Sequence, residues 1–560
     1  MSKLRKAERN RAMWVGMGLT GMLIATGYSQ AKVQVLGRQE IINKAIESNR
    51  YQRESTSKAR RGTIYSSDGR VLAQSEDVYV FGINTIKCPV SSGFYMALAD
   101  ASGISVAELR EVQFSDSRSR YWTDPISSDR YEKIRKVMKD WSADGVSLER
   151  IPRRVYPLME SASTVIGAIL DKETKIGLEA GQDSLLTGSD GKATGFVDRT
   201  GVFMPIKDKD IKDRQNGEDV VLTIDSELQA DATRAIRTAV ESHAAKRGTV
   251  VVVDPSNGDI LAMANWPAFT PGKPILPGQD YNSAVMSALE PGSTFKILTL
   301  AMALDAGAVS LNETTQCTGS IAIGGGRRAH CSHGAHGLVD NEKFIAESCN
   351  VAATEYAYKI GRERFQSELK RMQMFDKSTL GLPGERKGVY NENDPAQMMQ
   401  LSNNGFGQAM NVTPVRISAA FAALGNGGEA FEPRLIKEIG GEAIPPKSLG
   451  QYFKPETADY VRGVMVSTIE KEYGTAKNLR VPGYRLAGKT GTAQKIQGGS
   501  QKAWVSNFVG FVPADKPRAM VLVMIDEPAI GYYGGVVAGP VFSDVAKSVI
   551  RRYQVPSVSE

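Results

Sequence analysis

The sequence predicts an α/β protein: one antiparallel sheet with a helical lobe, on a mixed α+β pedestal, behind a single N-terminal transmembrane helix. Three observations predict it. An uncharged run covers residues 12–31. Short strand-like stretches, charged helical stretches and turn signals alternate from Arg61 to about Gly217. Strand patterns at both ends of 218–560 enclose a long helical section, as expected of a sheet packed on a helical lobe. At 560 residues the chain is too long for one ordinary core. Its composition, 41% hydrophobic and 23% charged, is that of a globular protein. A net charge of +7 without a long basic stripe or interleaved aromatics gives no support to nucleic-acid binding.

Residues 1–11 read as a cytoplasmic basic tail, with Lys3, Arg5, Lys6, Arg9 and Arg11 against Glu8 alone. Residues 12–31 then carry no charge, a length that matches the hydrocarbon thickness of a bilayer as a helix. The basic flank keeps the tail cytoplasmic and sends the rest of the chain outside. The other reading is a cleaved signal peptide, because Ser29-Gln30-Ala31 resembles a small-residue cleavage site. Trp14 suits a membrane interface. Gly16, Thr20, Gly21 and Ala25 recur at four-residue separations, which either admits a second membrane helix or simply faces lipid.

The polar stretch to about Arg60 reads as a helical stalk. "RGTIYSSDGRVLA" then reads as strand, Asp-Gly turn, strand. The remaining pedestal shows turn signals such as Ser189-Asp190-Gly191, no repeat and no catalytic constellation, and reads as scaffold. From Asp219 a strand leads into an amphipathic helix starting near Asp225 or Ser226. "GTVVVVDPSNGDILAMAN" reads as a hairpin, and helices dominate from Phe295 to about Leu424. "YRLAGKTGTAQ", "WVSNFVGFVPA" and "AMVLVMIDEP" return to strands, and a closing helix spans roughly Val541 to Arg552.

"EPGSTFKILTL" carries the first chemical signal. Pro291-Gly292 places Ser293 at a helix N-terminus, and Lys296, three residues on, shares its face. A serine hydroxyl needs a neighbour to take its proton. Lysine does so only when neutral, which near neutral pH requires its pKa to fall by roughly three units, or about 4 kcal/mol. Burial and a second cation supply such a drop. Ser348-Cys349-Asn350 follows in a helical context, and Lys489-Thr490-Gly491 in a strand context. Ser-x-x-Lys, Ser-x-Asn and Lys-Thr-Gly in this order form the signature of penicillin-binding proteins and class A β-lactamases.

The chain resembles class B penicillin-binding proteins beyond these motifs. "RRVYPLMESASTVIG", "GLEAGQDSLLTG", "GFGQAMNVTPVRISAAFAALGNGG" and "YYGGVVAGPVF" all look like that family, and the resemblance runs over nearly the whole chain. It implies the penicillin-binding/transpeptidase fold over 218–560, a non-catalytic, dimerisation-like pedestal over 32–217, and membrane-anchored peptidoglycan D,D-transpeptidase activity. Ser293 then resembles the acylated nucleophile and Lys296 its base. Ser348 and Asn350 look like the second wall, Ser348 relaying protons with support from Lys489. Thr490, Gly491 and Thr492 would hold the D-Ala-D-Ala carboxylate end, with the Ser293 and Thr492 N–H groups as oxyanion hole. Implied partners are stem peptides, β-lactams, the membrane, a SEDS-family polytopic glycosyltransferase and other divisome or elongasome proteins. The division type is favoured over the elongation type. A β-lactam sensor or β-lactamase with the same serine is the alternative.

Cys317, Cys331 and Cys349, with His330, His333 and His336, fall within 33 residues. Cys317, Cys331, His336 and Cys349 are a candidate structural zinc set, in which His330 or His333 could replace a member. A Cys317–Cys331 disulfide and a loose surface loop are the other readings. No cofactor is expected for catalysis.

Overall fold

Gln52–Ser57 pairs with Gly191–Val197, which pairs with Phe203–Pro205, in a three-stranded antiparallel sheet. The computed structural model describes residues 2–32, 52–171, 173–197, 203–205, 211–496 and 502–557. The chain divides into two compact units, residues 1–60 with 188–216 and residues 61–187 with 217–560. The small sheet belongs to the first. So Gln52–Ser57 is a strand where a helical stalk was expected, and residues 33–51 of that stalk lie outside the described residues. The first unit also holds a continuous helix, Ser2–Ala31. Among the described residues no helix is long and apolar enough to cross a membrane. The transmembrane span expected at 12–31 thus falls in a helix that forms but is less apolar than a plain span. The helix forms, but Gly16, Gly18, Thr20, Gly21, Thr26, Gly27 and Ser29 dilute its apolar side chains.

In the second unit, β1 (Ile64–Tyr65) and β2 (Val71–Asn84) pair antiparallel around the predicted Asp-Gly turn, where Gly69 takes φ 78. β3 (Ser119–Ile126) and β4 (Val146–Val155) both pair with β2. β5 (Val220–Leu222) lies parallel beside β1, so the strand that opens the C-terminal region is built into the pedestal sheet. Glu179, fully buried, accepts from Arg61 Nε and Arg154 Nε, each at 2.6 Å.

α1 (Ser226–Ser242) starts where the sequence indicates: Asp225 caps it, accepting from the Glu227 and Leu228 N–H groups. β6 (Arg247–Val253) and β7 (Ile260–Trp266) form the predicted hairpin. α2 (Lys296–Asp305), α3 (Asn341–Ala346) and α4 (Asn350–Ile360) belong to the helical lobe. β8 (Ile436–Ile439) pairs antiparallel with β5. β9 (Ala487–Ile496), β10 (Lys502–Val512) and β11 (Ala519–Asp526) complete a five-stranded antiparallel sheet in the order β7-β6-β11-β10-β9. α5 (Gly539–Arg552) closes the chain.

The sheet is covered on both faces, which is why its central strands read as unbroken apolar runs. Val251 and Val253 of β6 join the core with Phe295, Leu298 and Phe421 of the helical lobe. Val250 and Val252 point the other way, to Leu228 and Ile236 of α1 and Val545 and Val549 of α5. The period-2 alternation of a strand thus serves two cores at once. β9 ends the sheet as an edge strand, and the turn Gly292–Phe295 that leads into α2 packs against it.

Candidate active site

Ser293 sits on a 3-10 turn, Gly292–Phe295, that runs directly into α2. Side chains three apart eclipse in that geometry, so Ser293 and Lys296 lie on one edge. Gly292 is at φ 55, and a Cβ there would lie 3.2 Å from Thr492 O and from Ala493 Cβ, so the turn rests directly on β9. Lys296 is fully buried. Its Nζ donates to Ser348 O at 2.6 Å and to Ser348 Oγ at 3.0 Å. The structure therefore brings Lys296 onto Ser348, 52 residues away. The Ser293 hydroxyl faces the groove, and no hydrogen bond to Lys296 is formed among the described residues. Burial pushes the Lys296 amine down to about 8, with Cys349 and Cys331 pulling the other way.

Ser348 lies in the turn between α3 and α4, at φ 58, a left-handed conformation that is costly for a residue with a Cβ. That bend aims both its carbonyl and its hydroxyl at Lys296. Cys349 caps α4 through its sulfur, which accepts from the Ala352 N–H. Asn350 turns away from Lys296: its Nδ2 donates to His330 O at 2.7 Å and ties α4 to the cysteine-rich segment.

Lys489 is also fully buried, and its Nζ donates to Thr490 O at 3.0 Å. Burial, then the charge of Lys296, hold its amine well below the ordinary range. A proton on Lys296 thus disfavours one on Lys489. Thr490 Oγ1 lies 2.9 Å from Thr475 Oγ1. Thr492 Oγ1 accepts from the Gly534 N–H at 3.1 Å, which leaves its own proton to donate. Gly491 has no room for a side chain: a Cβ there would lie 1.6 Å from Asn507 Oδ1.

Ser293, Ser348, Thr490, Gly491 and Thr492 line one groove of about 680 Å³. The sequence reading missed several other groove residues. Thr475 arrives on a loop whose N–H donates to Ala346 O. Trp504 stacks on Tyr532 at 4.6 Å, and Tyr533 lies tilted against Tyr532 at 4.5 Å, with His333 6.2 Å from Tyr533. The paired tyrosines of "YYGG" were visible as a motif, but nothing local assigns them to a wall.

Beside the groove, the ligand atoms of Cys317, Cys331, His336 and Cys349 lie within 4.8 Å of one another. All three cysteines are free and buried. Cys317 Sγ is 3.7 Å from Cys331 Sγ, Cys331 Sγ is 3.8 Å from Cys349 Sγ, and His336 Nδ1 is 3.5 Å from Cys317 Sγ. A disulfide needs sulfurs about 2.0 Å apart. A tetrahedral zinc with bonds of about 2.3 Å to sulfur and 2.0–2.1 Å to nitrogen gives edges of about 3.8 and 3.5 Å. The donor set and its spacing fit zinc rather than a Cys317–Cys331 bridge, and His330 and His333 lie outside the set. The segment is not a loose loop: Thr314–Cys317 pairs with Gly337–Asp340, and Ser320–Gly324 with Arg327–His330.

Residues 248–547 match the penicillin binding protein transpeptidase domain, and residues 56–222 the penicillin-binding protein dimerisation domain. The chain is 32% identical over 509 residues to a Neisseria gonorrhoeae protein named probable peptidoglycan D,D-transpeptidase PenA, covering 89% of this chain and 85% of the relative. It is 28% identical over 583 residues to peptidoglycan D,D-transpeptidase FtsI of Escherichia coli, covering 99% and 94%. The crystal structure of penicillin binding protein 2X from Streptococcus thermophilus superposes with TM-score 0.73 at 24% identity, covering 90% of this chain and 80% of that one.

Proposed function

The chain belongs to the penicillin-binding protein transpeptidases, and on that premise we propose that it cross-links peptidoglycan stem peptides through an acyl-serine at Ser293. The observation that carries the assignment of roles is a lysine amine buried to the last atom, three residues from a serine that faces a groove.

In this mechanism Ser293 Oγ attacks the D-Ala-D-Ala carbonyl as its proton passes to the neutral Lys296 amine. The Ser293 and Thr492 N–H groups receive the developing oxyanion, a contribution of about 3–4 kcal/mol per donor. Ser348, already bonded to Lys296, passes the proton to the departing D-Ala nitrogen. Lys489, itself kept proton-poor by burial and the charge of Lys296, would support that relay. Asn350 braces the wall through His330. The Thr490 and Thr492 hydroxyls hold the substrate carboxylate, and Gly491 keeps β9 open to main-chain pairing with the peptide. An amine of a neighbouring stem peptide then takes the acyl group. A β-lactam acylates the same serine without releasing a departing group, so its adduct persists.

Ser293→Ala should abolish labelling by fluorescent penicillin, and retained labelling would refute the assignment. The adduct should last hours. A lifetime of seconds would mark a β-lactamase.

The division of labour follows the sequence boundaries: tail 1–11, anchor 12–31, pedestal 32–217, transpeptidase domain 218–560. Supporting an anchor at the bacterial cytoplasmic membrane, with an extracytoplasmic catalytic domain, are the uncharged run, its basic flank and its exposed Met13, Trp14, Leu19, Leu23 and Ile24. Thr20 and Thr26 satisfy their hydroxyls within the helix, on Gly16 O and Met22 O. The small-residue face is where a SEDS-family polymerase would meet the helix and cover what the bilayer does not. Zinc, held by Cys317, Cys331, His336 and Cys349, would brace the Ser348 turn as a closed structural site without entering the chemistry. Metal analysis of untagged protein should give about one zinc per chain. A septal role is favoured, and a fluorescent fusion should gather at midcell. Sidewall fluorescence would point to elongation.

A further inference from the structure

Asn507 occupies the middle of β10, opposite Gly491 of β9 in the sheet register. It is fully buried. Its Nδ2 donates to Pro291 O at 2.7 Å, across 216 residues of sequence and two residues before Ser293. Its Oδ1 is turned under β9, where a Cβ on Gly491 would lie 1.6 Å away. Among the described residues that oxygen has no hydrogen-bond partner. What it faces is the Cα of Gly491, a weak donor at best. A buried amide with half its capacity unused is a poor choice for a core position that only needs filling.

The surroundings explain the choice. The Ser293 turn and β9 meet with only small groups between them, Gly292 against Thr492 O and Ala493 Cβ, and Gly491 against Thr294 Cγ2. Their spacing is therefore set from below. Asn507 is attached to β9 through ten paired residues of the β9–β10 ladder, and to the turn through Pro291 O.

We propose that Asn507 is a positioning residue for acyl transfer: its bond to Pro291 O fixes the gap between the Ser293 and Thr492 N–H groups, so that one carbonyl oxygen reaches both. The inference rests on the transpeptidase reading above, in which those two groups form the oxyanion hole. Asn507 touches no reacting atom. Without its amide, Pro291 O keeps only the Thr294 Oγ1 bond inside its own turn, and the turn loses its tie to β10 and can shift along β9. A shift on the order of 1 Å at such a site costs on the order of 100-fold in rate. Thr490, Tyr533 and Trp504, which line the groove elsewhere, stay where they are.

The test is Asn507→Ala, with Asn507→Ser as the second variant should alanine fail to fold. Benzylpenicillin acylation is resolved by stopped flow into an initial dissociation constant and an acylation rate constant. Affinity for an arylboronic acid is measured in parallel, because its tetrahedral adduct on Ser293 presents an oxygen to the hole. We expect the acylation rate constant to fall about 10- to 100-fold. Boronate affinity should fall by the same factor, and the initial dissociation constant should stay within about threefold. An unchanged acylation rate overturns the proposal. So does a loss confined to initial binding, a fall in rate without a fall in boronate affinity, or failure of both variants to fold. A wild-type chain that never acylates Ser293 would remove the transpeptidase reading itself. A wild type that acylates while the variant keeps pace removes only the role of Asn507.

Discussion

Replacing Lys296 by methionine should abolish acylation and yet not destabilise the chain at neutral pH, with an advantage that shrinks as pH rises. Lys296 is fully buried and its amine is pushed from an ordinary 10.5 down to about 8. The unfolded chain therefore binds more protons than the native one between those values, and wild-type stability rises with pH across them. The charged form costs the native state about 3 kcal/mol at pH 7 and about 1.4 kcal/mol at pH 9.5. Methionine has similar length and no charge, so it escapes that cost at both values. It forfeits the bonds to Ser348 O and Oγ, a loss of about 1–3 kcal/mol that does not depend on pH. The variant should thus be about 0–2 kcal/mol more stable than wild type at pH 7, and its difference from wild type should move against it by about 2 kcal/mol by pH 9.5. Urea unfolding of both proteins at the two pH values measures this, provided the slopes agree. A difference that stays flat from pH 7 to 9.5 would refute the depressed amine, and with it the argument that Lys296 is available as a base.

The acylation rate constant of the wild type should climb with pH and level off above about 8, since only the neutral amine accepts the Ser293 proton; stopped-flow acylation from pH 6 to 9.5 checks it. Ser348→Gly and Ser348→Ala should both lose acyl transfer. The glycine variant should be the more stable by about 1 kcal/mol in thermal unfolding, because position 348 sits at φ 58. Glu179→Ala leaves the buried Arg154 guanidinium without an acidic partner and Arg61 with Asp183 alone, and should cost about 3–5 kcal/mol. Penicillin labelling per folded molecule should be unchanged.

Local signals carried far into the fold. Asp225 announces the helix it caps, and the run of Val250 to Val253 announces a strand buried on both faces. What escaped the sequence depends on distant partners. Gln52–Ser57 has no apolar alternation and becomes a strand because Gly191–Val197 lies beside it. The strands between Thr314 and Asp340 are glycine- and arginine-rich, and their order comes from pairing and from the cysteines that draw them together. The three motifs gave the residue types at the site, but not its wiring. Spacing pointed Lys296 at Ser293, whereas its nitrogen is held by Ser348, because the helical pattern across 341–360 hides a left-handed break at Ser348. Asn350 reads as a groove residue and instead grips His330. In the N-terminal run the absence of charge and the helix were legible, while its glycines and threonines hold down its apolarity.

The most direct measurement is mass spectrometric peptide mapping after reaction with benzylpenicillin. One intact penicilloyl group should appear on the peptide that contains Ser293, and none on peptides that contain Ser348 or Ser332. A modified chain whose adduct maps to any other side chain, or a native chain that takes up none, would contradict the account.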